Sequence, residues 1–147
     1  MPFQDADTPP RVLAHVIDGV GVLTLIRPAV LNALELATVR APTRPLTGWA
    51  SDPAIRAVLL RGSGERAFCA GGDVRALYHL QREGAPELAR YFDEEYALDC
   101  MIHRYPKPTI ALMDGVVTGG GMGISQGCTH RLVTERTRMA MPETAMR

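Results

Sequence analysis

Two glycine clusters in this 147-residue chain, Gly71-Gly72 and Gly119-Gly120-Gly121, could do chemistry with bare backbone. Each follows an apolar run of strand length and leads into a segment of helical character, so N–H groups without flanking side chains face a turn. Such N–H groups can hold an anion, or stabilise an oxygen that becomes negative only in a transition state. Two donors converging on one oxygen are what acyl transfer needs, because a carbonyl oxygen gains charge as its carbon becomes tetrahedral or enolate-like. Taken alone, either cluster also reads as a turn whose glycines serve only to allow positive φ. Neither has the spacing of a phosphate or dinucleotide loop, which demotes nucleotide hydrolysis. Carboxylates are the second resource. Glu94, Glu95 and Glu143 could act as acid, base or nucleophile, although an acidic pair on a helix, or a glutamate near a chain end, is most often solvated surface.

The composition narrows the partners. Sixteen basic residues balance sixteen acidic ones, so nothing electrostatic points to nucleic acid or to an anionic membrane surface. A hydrophobic share of 46% with 22% charged residues is that of a globular domain, with no apolar run of membrane-spanning or signal-peptide type. The default location on that reading is the cytoplasm. Cys69, Cys100 and Cys128 lack metal-ligand spacing and suit buried thiols in a reducing compartment; no metal site is expected. No histidine is placed in sequence to suggest a partner for thiol catalysis.

The elements that must position these groups alternate between strands and helices, which argues one α/β unit. Residues 1–10 carry three prolines and read as a mobile lead-in. Two strand-like runs, 12–17 and 21–26, flank Asp18-Gly19 and predict a hairpin. Residues 29–40 have helical character, with Leu31, Leu34 and Val39 inward. Pro42 and Pro45 fall where the next turns would come, and a proline inside a helix costs about 3 kcal/mol, so a broken or shortened helix is expected. A third strand, 57–62, precedes the first glycine cluster, and a helix over 74–82 follows it with Leu77 and Leu80 toward the core. A longer helix, 87–103, is amphipathic through Leu88, Tyr91, Phe92, Leu98 and Ile102, with Glu94 and Glu95 on or beside its polar part. Residues 109–113 form the strand before the second cluster. Beyond Ser125 a short helix to about residue 129 is followed by two strand-sized runs, 131–135 and 139–141.

Several pieces occur together in the order seen in one family. They are Asn32-Ala33-Leu34 after Arg27-Pro28, residues 65–75 (ERAFCAGGDVR), Pro106-Lys-Pro-Thr, residues 115–121 (GVVTGGG) and Met141-Pro-Glu143. On these the chain resembles the enoyl-CoA hydratase/isomerase (crotonase) superfamily. Residues 92–96 (FDEEY) and 134–144 (TERTRMAMPET) look most like its 3-hydroxyisobutyryl-CoA hydrolase branch, which acts in valine breakdown. The resemblance implies the repeated ββα spiral core of the ClpP/crotonase fold, as an N-terminal portion, with residues 11–147 forming a partial acyl-CoA-binding domain. It implies that the N–H groups of Gly72 and Gly120 form the oxyanion hole, that Glu143 is the catalytic carboxylate, and that Glu95 touches the acyl group or orders the site. Residues 67–73, including Ala70, Gly71 and Asp73, would lie against coenzyme A, with Gly119 and Gly121 also binding substrate and Arg27 near the phosphates. Coenzyme A would be part of the substrate, with no separate cofactor.

The pattern also discriminates between reactions. Hydratases of this family carry a glutamate three positions after the middle glycine of the triplet, and here that position is Gly123. Without it, a single local glutamate is expected, suited to thioester hydrolysis; enoyl-CoA hydration or isomerisation and an inactive acyl-CoA-binding or assembly role are the alternatives. The family's Phe-Pro-Asp stretch and covering helices are not in this sequence, so an exposed apolar surface is expected, to be covered by a second copy or a complementing chain.

Overall fold

A computed structural model describes residues 9–84 and 86–142; Glu143 and the rest of the last five residues lie outside them, as do residues 1–8 and 85. The chain opens with the hairpin β1 (Val12–Ile17) and β2 (Val20–Leu25), turning at Asp18 and Gly19, both at positive φ as a tight two-residue turn demands. After the hairpin, strands are added in pairs. Of β3 (Ala57–Gly62) and β4 (Ala67–Cys69), the first joins a five-stranded sheet and the second a three-stranded one. The pairs β5 (Thr109–Met113) with β6 (Val116–Thr118), and β7 (His130–Val133) with β8 (Arg138–Ala140), repeat the move. The sheet orders are β1-β2-β3-β5-β7 and β4-β6-β8, and every pairing after the hairpin is parallel. This is the expected spiral of two strands and a helix.

The short strands β4 and β6 are a correction. Each cluster was expected to follow a single strand, β3 or β5, but three-residue strands carry no readable periodicity. Both glycine turns emerge from the smaller sheet.

The expected break near the prolines occurs, with a shape that sequence alone did not foresee. A 3-10 turn at Pro28–Val30 ends in left-handed backbone at Leu31 and Asn32, so residues 29–40 are not one helix. Helix α1 (Leu36–Arg40) is short, and α2 (Thr43–Ser51) starts immediately after Pro42. Pro45 fits inside α2 because it lies in the first turn, where backbone N–H groups have no intrahelical acceptor to lose. Leu34 and Val39 are buried as expected, whereas Leu31 is only half-buried.

Helix α3 (Val74–Arg82) and the long α4 (Pro86–His103) follow the first cluster, and α5 (Gly120–Gln126) follows the second, ending before residue 129. The core lies between the sheets and the helices, around Leu23, Leu34, Leu46, Val58, Phe68, Leu98 and Ile102. The face of α4 differs from expectation: Tyr91, Glu95, Leu98 and Ile102 point inward, while Phe92 is 40% exposed. At the far edges, β7 and β8 are exposed along their whole length, with Leu132, Val133, Met139 and Met141 uncovered. No described helix is long and apolar enough to cross a membrane.

Candidate functional site

The loop that carries Gly71 and Gly72 is held by hydrogen bonds from residues far upstream. Leu34 N–H donates to Gly71 O at 2.7 Å, and Asp73 N–H donates to Leu34 O at 2.7 Å. Behind them Asn32, 1% exposed, accepts from Arg27 N–H at 2.9 Å and donates to the carbonyls of Ser63 and Ala67 at 3.0 and 2.9 Å. Left-handed φ is tolerated by asparagine better than by most side chains, so one residue makes the turn and closes its polar groups. Asp73 caps α3 through Ala76 N–H and pairs with Arg27 at 2.9 Å. Burial opposes its charge, yet the Ala76 N–H and the Arg27 guanidinium outweigh that and hold its pKa below the usual carboxylate value. Arg27 is therefore committed inside the protein: it also bonds Ala33 O at 2.7 Å and lies 3.5 Å from Glu35, with its side chain 12% exposed. The expectation that it meets a phosphate finds it already occupied.

The second cluster arrives from β6. Thr118 Oγ1 donates to Ala70 O at 2.8 Å across 48 residues of sequence, tying one glycine loop to the other. Gly71, at φ +88°, packs so closely that an added Cβ would lie 2.8 Å from Thr118 O and 2.9 Å from Gly120 N. The two clusters are thus in direct contact. Among the described residues, neither the N–H of Gly72 nor that of Gly120 has a hydrogen-bond partner. Gly121 sits on the backbone of Cys69, where an added Cβ would overlap Cys69 O. Gly119 and Ala70 lie at the margin of this contact, half-buried.

Carboxylates reach the contact from α4: Glu95, which the family resemblance implied there, and Asp99, which sequence reasoning missed. Glu95 is 7% exposed rather than surface, and its Oε1 occupies the space that a side chain at Gly120 would need. One turn on, Asp99 Oδ2 would lie 2.8 Å from a Cβ at Gly123. One turn back, the Tyr91 hydroxyl would lie 3.1 Å from a Cβ at Gly72. Residues 91, 95 and 99 form one stripe, as spacing of four on a helix requires. The available signal was phase: Glu95 falls four after Tyr91 and three before Leu98, in the apolar series itself. Gly123 does leave room, but a carboxylate from another element fills it, so the expectation of a single local glutamate is corrected.

Electrostatics follow from this burial. Burial, then the nearby charge of Asp99, raises the Glu95 pKa to about 7, with the Tyr91 hydroxyl working weakly the other way. Burial raises Asp99 to about 6. Carboxyls that titrate near neutrality can give and take protons there. Cys69 is pushed up to about 12, chiefly by burial, and so remains a thiol. Among the described residues no group of three His, Cys, Asp or Glu is placed to hold a metal ion. A small apolar void of about 20 Å³ in the core and an open groove of about 460 Å³ between α2 and α4 are lined by none of the cluster glycines. The site is defined by backbone donors and carboxylates, not by either of these spaces. Glu143 falls outside the described residues.

Comparison with known proteins gives the family and the fold. The family described as Enoyl-CoA hydratase/isomerase matches residues 20–146. The 3-hydroxyisobutyryl-CoA hydrolase, mitochondrial, of Gallus gallus is 43% identical over 140 residues, which are 95% of this chain and 36% of that protein. The small ribosomal subunit protein mS47 of Neurospora crassa is 39% identical over 143 residues, 95% of this chain and 28% of that protein. The crystal structure of a carnitinyl-CoA dehydratase from Mycobacterium thermoresistibile superposes with a TM-score of 0.88 at 47% identity, covering 92% of this chain and 40% of that one. The chain thus spans about a third of the length of the curated relatives it matches.

Proposed function

As the chain belongs to the enoyl-CoA hydratase/isomerase family, we propose that its glycine contact is the oxyanion hole of an acyl-CoA thioester hydrolase of the 3-hydroxyisobutyryl-CoA type. The observation that carries this reading is the meeting of the two clusters, with the N–H groups of Gly72 and Gly120 unpaired among the described residues and Glu95 beside them. In the proposed reaction the thioester carbonyl oxygen accepts from both N–H groups. Glu143 attacks the carbonyl carbon or activates the water that does. The C–S bond breaks as the oxygen's negative charge returns to a carbonyl, and water supplies the hydroxyl of the acid and the proton for coenzyme A. The thiolate is a stable leaving group near neutrality, so no strong acid is needed beside the sulfur. Asp73 and Gly71 take their place in this reading as the residues that fix the loop under the substrate.

Release of free thiol from 3-hydroxyisobutyryl-CoA by purified, folded chain tests the proposal. Turnover is expected to exceed one equivalent per chain, which separates it from the exposed Cys100 thiol, and Glu143→Gln is expected to lower it at least a hundredfold. No release above buffer overturns hydrolysis by this chain.

Asp99 favours one alternative. It lies where Gly123 offers no acid, one helical turn from Glu95 beside Gly120, and the two carboxyls, with pKa values raised to about 6 and about 7, are what handling of water across a double bond requires. Loss of crotonyl-CoA absorbance without thiol release would select that reading. Coenzyme A binding without either reaction would select a binding or assembly role.

A further inference from the structure

The inner face of α4 carries two polar atoms that the fold leaves unpaired. Tyr91 is 1% exposed, and its hydroxyl lies close enough to the Glu95 carboxyl to act on it but makes no well-formed hydrogen bond among the described residues; Asp99 Oδ1 is likewise buried without a partner. An orphaned buried hydroxyl is costly, and the same ring without its oxygen would fill the space without that cost. The oxygen is not aimed at the hydrocarbon core. It lies beside Gly72, 3.1 Å from where a Cβ would stand, and one helical turn from Glu95, whose carboxyl covers Gly120. It therefore stands on the Gly72 side of the glycine contact, with the Glu95 carboxyl on the Gly120 side. Burial and the nearby carboxylates push the phenol's pKa upward, so it keeps its proton and can donate.

We propose that the Tyr91 hydroxyl is a specificity-determining contact, donating a hydrogen bond to an oxygen substituent on the acyl chain and selecting hydroxyacyl thioesters over plain alkanoyl ones. The inference rests on the acyl-CoA reading above. In that reading the thioester oxygen is taken by the two glycine N–H groups, so a further polar contact suits a second oxygen on the ligand. A site with a donor waiting for that oxygen discriminates against an analogue that lacks it, because the donor then stays buried and unpaired.

Tyr91→Phe removes the oxygen alone. Calorimetric affinities of wild type and variant at position 91, both carrying Glu143→Gln so that the thioester is not consumed during the titration, would be compared for 3-hydroxyisobutyryl-CoA and isobutyryl-CoA, together with thermal melting of both proteins. Wild type is expected to favour the hydroxylated ligand by about tenfold. The variant is expected to lose that preference through weaker binding of the hydroxylated ligand, with isobutyryl-CoA unaffected and the melting temperature unchanged or higher. An unchanged preference in the variant overturns the role of Tyr91 and leaves the acyl-CoA reading standing. A variant that melts lower or fails to fold shows that the hydroxyl serves the fold, and also overturns it. Wild type that binds neither thioester overturns the acyl-CoA reading and this inference with it.

Discussion

The two glycine loops face the same space but are held there by different physics. The first is fastened by polar contacts: Asn32, the Leu34 backbone and the Arg27–Asp73 pair bind it to a strained turn before α1. The second is fastened by the absence of side chains, with Gly121 lying on Cys69 and Gly120 under Glu95. Hydrogen bonds can be lost one at a time, whereas backbone pressed against backbone leaves no room to relax. The first loop should therefore weaken by degrees and the second should fail abruptly.

Gly121→Ala sharpens that contrast most. Its new methyl would overlap a main-chain carbonyl, and urea denaturation is expected to show a loss of about 3 kcal/mol or more; a loss below about 1 kcal/mol would break the distinction. Asn32→Ala comes next. It strips Arg27 N–H and two carbonyls of their partner and places alanine at φ +54°, for an expected loss of about 2–3 kcal/mol. Coenzyme A affinity should fall with it, because Gly71 and Gly72 lose their brace. The smallest effect concerns the carboxyls. A folded pKa of about 7 for Glu95, above its ordinary 4.5, means that the folded state binds more protons than the unfolded one between those values. That contribution to stability is full below about pH 4.5 and is lost as pH rises through 7. Glu95→Gln should therefore flatten stability against pH over this range and stabilise the protein at pH 7.5 by about 1–2 kcal/mol. A profile as steep as that of wild type would mean that Glu95 is not the buried acid described above.

Much of this was legible from residue type. Asp18-Gly19 announced the hairpin, Pro42 the helix break, and the two glycine clusters the places where backbone is bare. The partners of Arg27, Asp73 and Glu35, are recognisable only once β2 and the first loop are folded together. Phe92 was misplaced because two aromatic neighbours both fit an approximate helical spacing, and packing against the core chose Tyr91. The strands β4 and β6 were too short to leave a pattern.

What the chain determined by itself was local: where a side chain cannot fit, where a backbone donor is missing, and which glycines can turn. These follow from sterics over a few residues. Only the tertiary structure brought Gly72 to Gly120 and set Tyr91, Glu95 and Asp99 over them. That meeting depends on successive strands being dealt alternately to two sheets and on the rotation of α4 about its axis, both decided by contacts between residues far apart in sequence.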